Sequence, residues 1–136
     1  MAYDKELEFA KKRTAAANGN QFSEEIDLGT KRNLGPGKSL DLVFGVNADF
    51  AAGNTVVTLQ GKDTEGANFA DVQPLFTINA PKAGHVSRTR FGYNWPNHRF
   101  LRLKVATPAA KAGALYSAAI VEGGATLEYF ESGYEV

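Results

Sequence analysis

The 136-residue sequence predicts an all-β domain folded as a sandwich or jelly roll, and three observations carry that expectation. Short segments alternate apolar and polar residues with period two. β-Branched and aromatic residues are dense within them, and Gly, Pro, Asn or Asp falls at nearly every break. Nothing alternates helix with strand, so a parallel doubly wound sheet is not expected. A chain of this length makes one domain, able to bury roughly 65–70% of its unfolded surface.

The first strand expected is "FSEEIDL", with Phe22, Glu24, Ile26 and Leu28 alternating against Ser23, Glu25 and Asp27. "NLGPGK" breaks it, and "SLDLVFGV" resumes with Leu40, Leu42, Phe44 and Val46 on one side. In "TVVTLQG", Val57 and Leu59 oppose Thr58 and Gln60. "PLFTI", "HVSRTRF", "HRFLRLKV", "LYSAAIV" and "TLEYF" follow, separated by "NAPKAG", "GYNWPN", "TPAAKAG" and "EGG", for about eight strands in all. In "NHRFLRLKV", Arg99, Leu101, Leu103 and Val105 share one face, and His98, Phe100, Arg102 and Lys104 the other. Residues 21–136 form this domain, with a short C-terminal tail. Residues 1–20 read as an N-terminal arm or short helix. Tyr3, Leu7 and Ala10 are near helical spacing, Asp4 can cap, and Asn18-Gly19 stops the segment, while "TAAANGNQ" suits an arm that orders on a neighbour.

Fifteen basic and fifteen acidic residues cancel, but unevenly. From Val72 to Val121 there is no acid and a charge of +7; residues 1–71 carry −3 and residues 122–136 carry −4. Such segmental polarity bears on association and partner choice more than on fold. Cysteine is absent, which excludes disulfides and thiol chemistry and fits assembly inside a cell. No apolar run approaches the ~20 residues of a membrane span, and the charged start has no signal-peptide core, so a soluble protein with no membrane partner is expected.

Chemical motifs fail on inspection. "GPGKS" lacks the earlier glycine of a phosphate loop and precedes a strand, so it is read as a turn. Glu25 and Asp27 share a strand face about 7 Å apart, but acids alternating with Phe, Ile and Leu describe a solvated face. His85 and His98 have no partners at metal or triad spacing. No catalytic residue, metal or cofactor is expected. Trp95 suits a stacking platform or a partner interface. Arg88 and Arg90 share one strand face, and Arg102 and Lys104 another; if those segments are neighbours, four cations make one patch. Specific nucleic-acid binding is not favoured, because the patch lacks interleaved aromatics and the other segments repel phosphate. An acidic protein surface fits better, since arginine pairs carboxylates bidentately.

The ordered segments "DKELEFA", "EEIDLGTKRNLGPGKSLDLVFGVNADFAAGNTVVTLQGKD", "NFADV", "HRFLRLKV" and "SAAIV" resemble the jelly-roll capsid cement proteins of tailed bacteriophages, over about Asp4 to Val121. The resemblance implies a jelly-roll β-sandwich and a non-enzymatic decoration protein of the virion, made and assembled in the bacterial host cytoplasm. It implies a homodimer on the outer capsid surface that bridges major capsid protein subunits against the pressure of packaged DNA. The residues expected to meet the capsid or a second subunit are then Arg88, Arg90, Arg102, Lys104, Trp95, Leu7 and Phe9. The alternative is a carbohydrate- or receptor-binding jelly-roll module of a virion, using Trp95, Tyr93 and His98. A cupin-type enzyme is weakened by the lack of a clustered histidine set.

Overall fold

The computed structural model describes residues 3–28, 40–90 and 98–122. These hold nine strands: β1 (Tyr3–Thr14), β2 (Gly19–Phe22), β3 (Ile26–Asp27), β4 (Leu40–Ala48), β5 (Asn54–Lys62), β6 (Ala70–Asn79), β7 (Val86–Arg90), β8 (Phe100–Thr107) and β9 (Leu115–Glu122). One sheet runs β1-β9-β4-β7. The other runs β2-β8-β5-β6, with β3 also pairing β8. All pairs are antiparallel, and they nest. β1 meets β9, β2 and β3 meet β8, β4 meets β7, and β5 meets β6. The chain is thus one long hairpin rolled over itself, closed by β4–β9 and β5–β8, which is the jelly roll. The expected all-β sandwich is what the chain forms.

Period-two alternation builds the core. Leu42, Phe44 and Val46 of β4, Val57 and Leu59 of β5, and Leu101, Leu103 and Val105 of β8 all point between the sheets. Tyr116, Ala118 and Ile120 of β9 join them, with Phe44 stacked on Tyr116 at 5.1 Å between ring centroids. Phe50 meets both rings edge-on. Val43, Ala119 and Val121 are buried as well, although they alternate to the opposite face. That explains why "LVF" and "AAIV" read as continuous apolar runs rather than as clean alternation.

The N-terminal segment differs from expectation. It is neither helix nor arm but strand β1, paired along β9 from Tyr3–Val121 to Thr14–Leu115. Three register irregularities interrupt that pairing, and Lys12 takes φ +49°, the left-handed conformation that accommodates an extra residue in a bulge. The Lys12 amide donates to Ser117 Oγ at 2.8 Å, and Ser117 Oγ donates in turn to Asn47 Oδ1. The bulges scramble the alternation and leave apolar residues near helical spacing.

"FSEEIDL" also departs from a single strand. It breaks into β2 and β3 at Ser23–Glu25. Ser23 is buried; its amide donates to the Leu103 carbonyl, and its Oγ accepts from the Leu103 amide at 2.8 Å. One side chain thereby stands in for a ladder bond while the chain changes face. Ile26 goes to the core and Phe22 to the outside. The expected strand "TLEYF", the turn "GPGKS" and the tail "ESGYEV" lie outside the described residues.

Two outcomes test this packing. Phe9 is fully buried against the core, so Phe9→Ala is expected to cost about 3–5 kcal/mol in chemical denaturation. Deleting residues 1–17 should abolish the cooperative transition, because it removes a whole strand. The Tyr116 hydroxyl is buried without a hydrogen bond of ordinary geometry, although the Arg13 guanidinium is a charged neighbour. Burial, opposed by Arg13, pushes its pKa from 10.0 up to about 12. The folded state therefore holds this proton more tightly than the unfolded chain. The stability linked to it is complete below pH 10 and is lost, by about 2–3 kcal/mol, as the pH rises to 12. Tyr116→Phe should lack that alkaline loss and cost less than about 1 kcal/mol at neutral pH.

Candidate functional site

The outer face of the five-stranded sheet is organised around β8. Burial of Leu101, Leu103 and Val105 sends Phe100, Arg102 and Lys104 outward. Cross-strand register sets their neighbours. Lys104 faces Phe22 of β2 and Thr58 of β5, Arg102 faces Gln60, and Phe100 faces Lys62 and Asp27. Gln60 in turn faces Asp71 of β6.

Arg102 occupies the centre. Its Cζ lies 3.9 Å from the Phe22 ring centroid and 4.1 Å from that of Phe69, so two aromatic faces clamp the guanidinium. Arg102 Nε donates to Gln60 Oε1 at 2.8 Å, and Gln60 Nε2 donates to Asp71 Oδ1 at 2.9 Å. Lys104 Nζ reaches both Asp71 oxygens at 3.1 and 3.3 Å. The Gln60 amide first and Lys104 second hold the Asp71 carboxyl below its ordinary value. Burial lowers the Arg102 pKa, opposed by the charge of Glu25.

Around this centre the neighbouring basic side chains are paired. Arg99 meets Asp27 bidentately at 2.9 and 3.1 Å, which raises its pKa, and its guanidinium stacks over Phe100 at 4.7 Å. Lys62 Nζ donates to the Glu65 carbonyl at 2.8 Å and sits over the rings of Phe69 and Phe100. His98 Nδ1 lies 2.9 Å from Asp63 Oδ1.

The four-cation patch expected from the sequence does not form. β7 belongs to the other sheet, and Arg88 lies opposite Val43, on the face turned away from the core. Arg88 and Arg90 therefore sit on the far side of the sandwich from Arg102 and Lys104. Arg88 contacts Asp41 at 3.1 Å, and Arg90 is exposed opposite the same aspartate. Phe9 is a core residue and offers no surface to a partner. Leu7 belongs to β1, with its side chain outside the described set, and Trp95 and Tyr93 lie outside the described residues altogether. Arg102 and Lys104 do share a face, and that face carries the interleaved aromatics that the sequence did not reveal.

Phe22, Phe69, Gln60 and Asp71 are the members that sequence reasoning missed. Alternation puts Phe22 on one expected face with Ile26, and nothing in "NFADV" links Phe69 or Asp71 to Arg102. The acids Glu24 and Asp27, expected to be merely solvated, pair with Arg13 at 2.8 Å and with Arg99. His85 meets Ser87 Oγ at 3.0 Å. Among the described residues no three His, Asp or Glu side chains are placed to hold a metal ion.

No protein-family model matches the chain, and no curated protein matches it. Among solved structures it is similar to a chitosan-binding module derived from a chitosanase/glucanase of Paenibacillus sp. IK-5. The TM-score is 0.44 and the identity 15%, over 77% of this chain and 71% of that one. That likeness is too slight to transfer a ligand.

Gly61 sets how closely His98 can approach. A Cβ at Gly61 would lie 2.6 Å from His98 Cδ2 and 3.0 Å from its Cβ, so the whole imidazole would have to move. Gly61→Ala is expected to cost about 1–3 kcal/mol in denaturant unfolding and to shift the His98 ring resonances as the Asp63 contact breaks.

Proposed function

We propose that the protein is a non-enzymatic virion structural protein. It binds the outside of a phage capsid as a homodimer and cements neighbouring major capsid subunits, stabilising the DNA-filled head. The observation that carries this reading is the outer face of the five-stranded sheet. Its long side chains are held by intramolecular ion pairs and ring contacts before any partner arrives. Preorganised side chains lose little entropy on docking, which suits a surface meeting an ordered partner. The resemblance of its strand-motif order to that of phage cement proteins is what favours the major capsid protein as the partner. Many copies on one shell turn a modest affinity per site into large total stabilisation.

The sugar-binding alternative needs aromatic faces open to a pyranose. Arg102 occupies a face of both Phe22 and Phe69, so this surface favours it less.

The test is decoration of heads assembled without this protein, followed by cryo-electron microscopy. Ordered density on the outer surface at symmetry-equivalent positions, with heads more resistant to heat, is expected. Bare heads at saturating protein, together with specific retention on a glycan array, would replace the proposal with the sugar-binding one.

A further inference from the structure

Among the described residues, each lysine and arginine on the outer face of the five-stranded sheet has an acceptor within the chain, with one partial exception. Lys104 has Asp71, Arg99 has Asp27, and Lys62 has the Glu65 carbonyl. Arg102 uses only Nε, on Gln60, and its two terminal nitrogens have no hydrogen-bond acceptor among the described residues. Two rings fix the plane of the guanidinium, and the Gln60–Asp71–Lys104 chain fixes its inner edge. What remains is the Nη edge, a two-pronged donor held at a set angle. Phe22, 37% exposed, stands beside it, and Val56, 36% exposed, lies further along the same face.

We infer that the Arg102 fork, clamped between Phe22 and Phe69, is a preorganised receptor for a single carboxylate presented by a partner protein. Two parallel N–H···O bonds match the spacing of carboxylate oxygens, and the flanking rings exclude water from the pair. The face discriminates against a polyanion. Glu24, Glu25 and Asp27 border it on the β2–β3 side, and Asp63, Glu65 and Asp71 on the β5–β6 side. A nucleic-acid strand crossing the sheet meets all of those acids, whereas one Asp or Glu descending on Arg102 is opposed chiefly by Glu25. Burial of the guanidinium adds to the argument, because a partly desolvated cation gains more from an incoming anion than a solvated one. The partner's identity rests on the capsid reading: an Asp or Glu of the major capsid protein, framed by apolar side chains that cover Phe22.

The experiment has two arms on the full chain. The first follows the arginine side-chain 15N resonances during titration with sodium acetate, against sodium chloride of equal ionic strength, inorganic phosphate and a (dT)12 oligonucleotide. Acetate should shift the Arg102 Nη signals selectively, leaving Arg99 unmoved. Phe22→Ala and Phe69→Ala should weaken that response, while Asp71 and Lys104 keep their resonances. Absence of an Arg102-selective shift with acetate, or a larger one with (dT)12 or phosphate, overturns the inference. The second arm measures binding to undecorated heads. Arg102→Lys, which keeps the charge and loses the fork, should weaken attachment at least about thirtyfold with an unchanged melting transition. Wild-type protein that ignores the heads defeats the capsid reading and leaves the acetate arm to decide the site. Wild-type and Arg102→Lys binding equally well defeats the site and leaves the capsid reading standing.

Discussion

Leu101, Leu103 and Val105 cannot leave the interior without exposing the middle of the sandwich, and that requirement fixes the rest of the outer face. β8 lies between β2 and β3 on one side and β5 on the other, so its register is specified from both flanks. A slip of one residue would turn the three apolar side chains to water and bury Arg102 and Lys104. The cost of burying two charges in an apolar core is far larger than any local gain. The position of the guanidinium is therefore a consequence of hydrophobic packing on the opposite face of the same strand.

Above that foundation the face is stiffened by charge. Taken singly, exposed ion pairs such as Arg99–Asp27 contribute little stability. Linked into a chain from Arg102 through Gln60 and Asp71 to Lys104, and pressed against Phe22 and Phe69, they restrict rotamers. The acid-free stretch from Val72 to Val121 thus finds its acids elsewhere in the chain, chiefly Asp27, Asp41, Asp49 and Asp71. The segmental polarity of the sequence is largely neutralised across the sheets, and that neutralisation concentrates unused donor capacity at Arg102.

The sandwich was legible in the sequence because its central strands carry large apolar residues at every second position. Leu42, Phe44 and Val46, then Val57 and Leu59, then Leu101, Leu103 and Val105 each announce one buried face. β1 was not legible, because three irregularities against β9 and the left-handed Lys12 break its period. Phe22 was misplaced for a related reason: Ser23 replaces a backbone ladder bond with its hydroxyl and lets the chain change face. The candidate site was half visible. Arg102 and Lys104 share a face by counting within one strand, but their link to Phe69 and Asp71 depends on which strands lie side by side. Alternation within a strand says nothing about that, and the same gap let Arg88 and Arg90 be grouped with cations from the opposite layer.

The nested pairing of strands has a consequence for how the molecule comes into being. β5 and β6 are joined by a short connection and can zip as soon as both exist, whereas β1 must wait for β9. Closing so long a loop costs entropy before any contact is gained, and folds dominated by such pairings are slow to form. On the ribosome β1 emerges well before β9, so Phe9 and the pairing edge of β1 stay exposed until β9 has been made. The interspersed lysines and glutamates of "DKELEFAKKR" keep such an edge from pairing with the wrong chain during that interval. The charges interspersed along β1 are, for the nascent chain, a guard on an unfinished sheet.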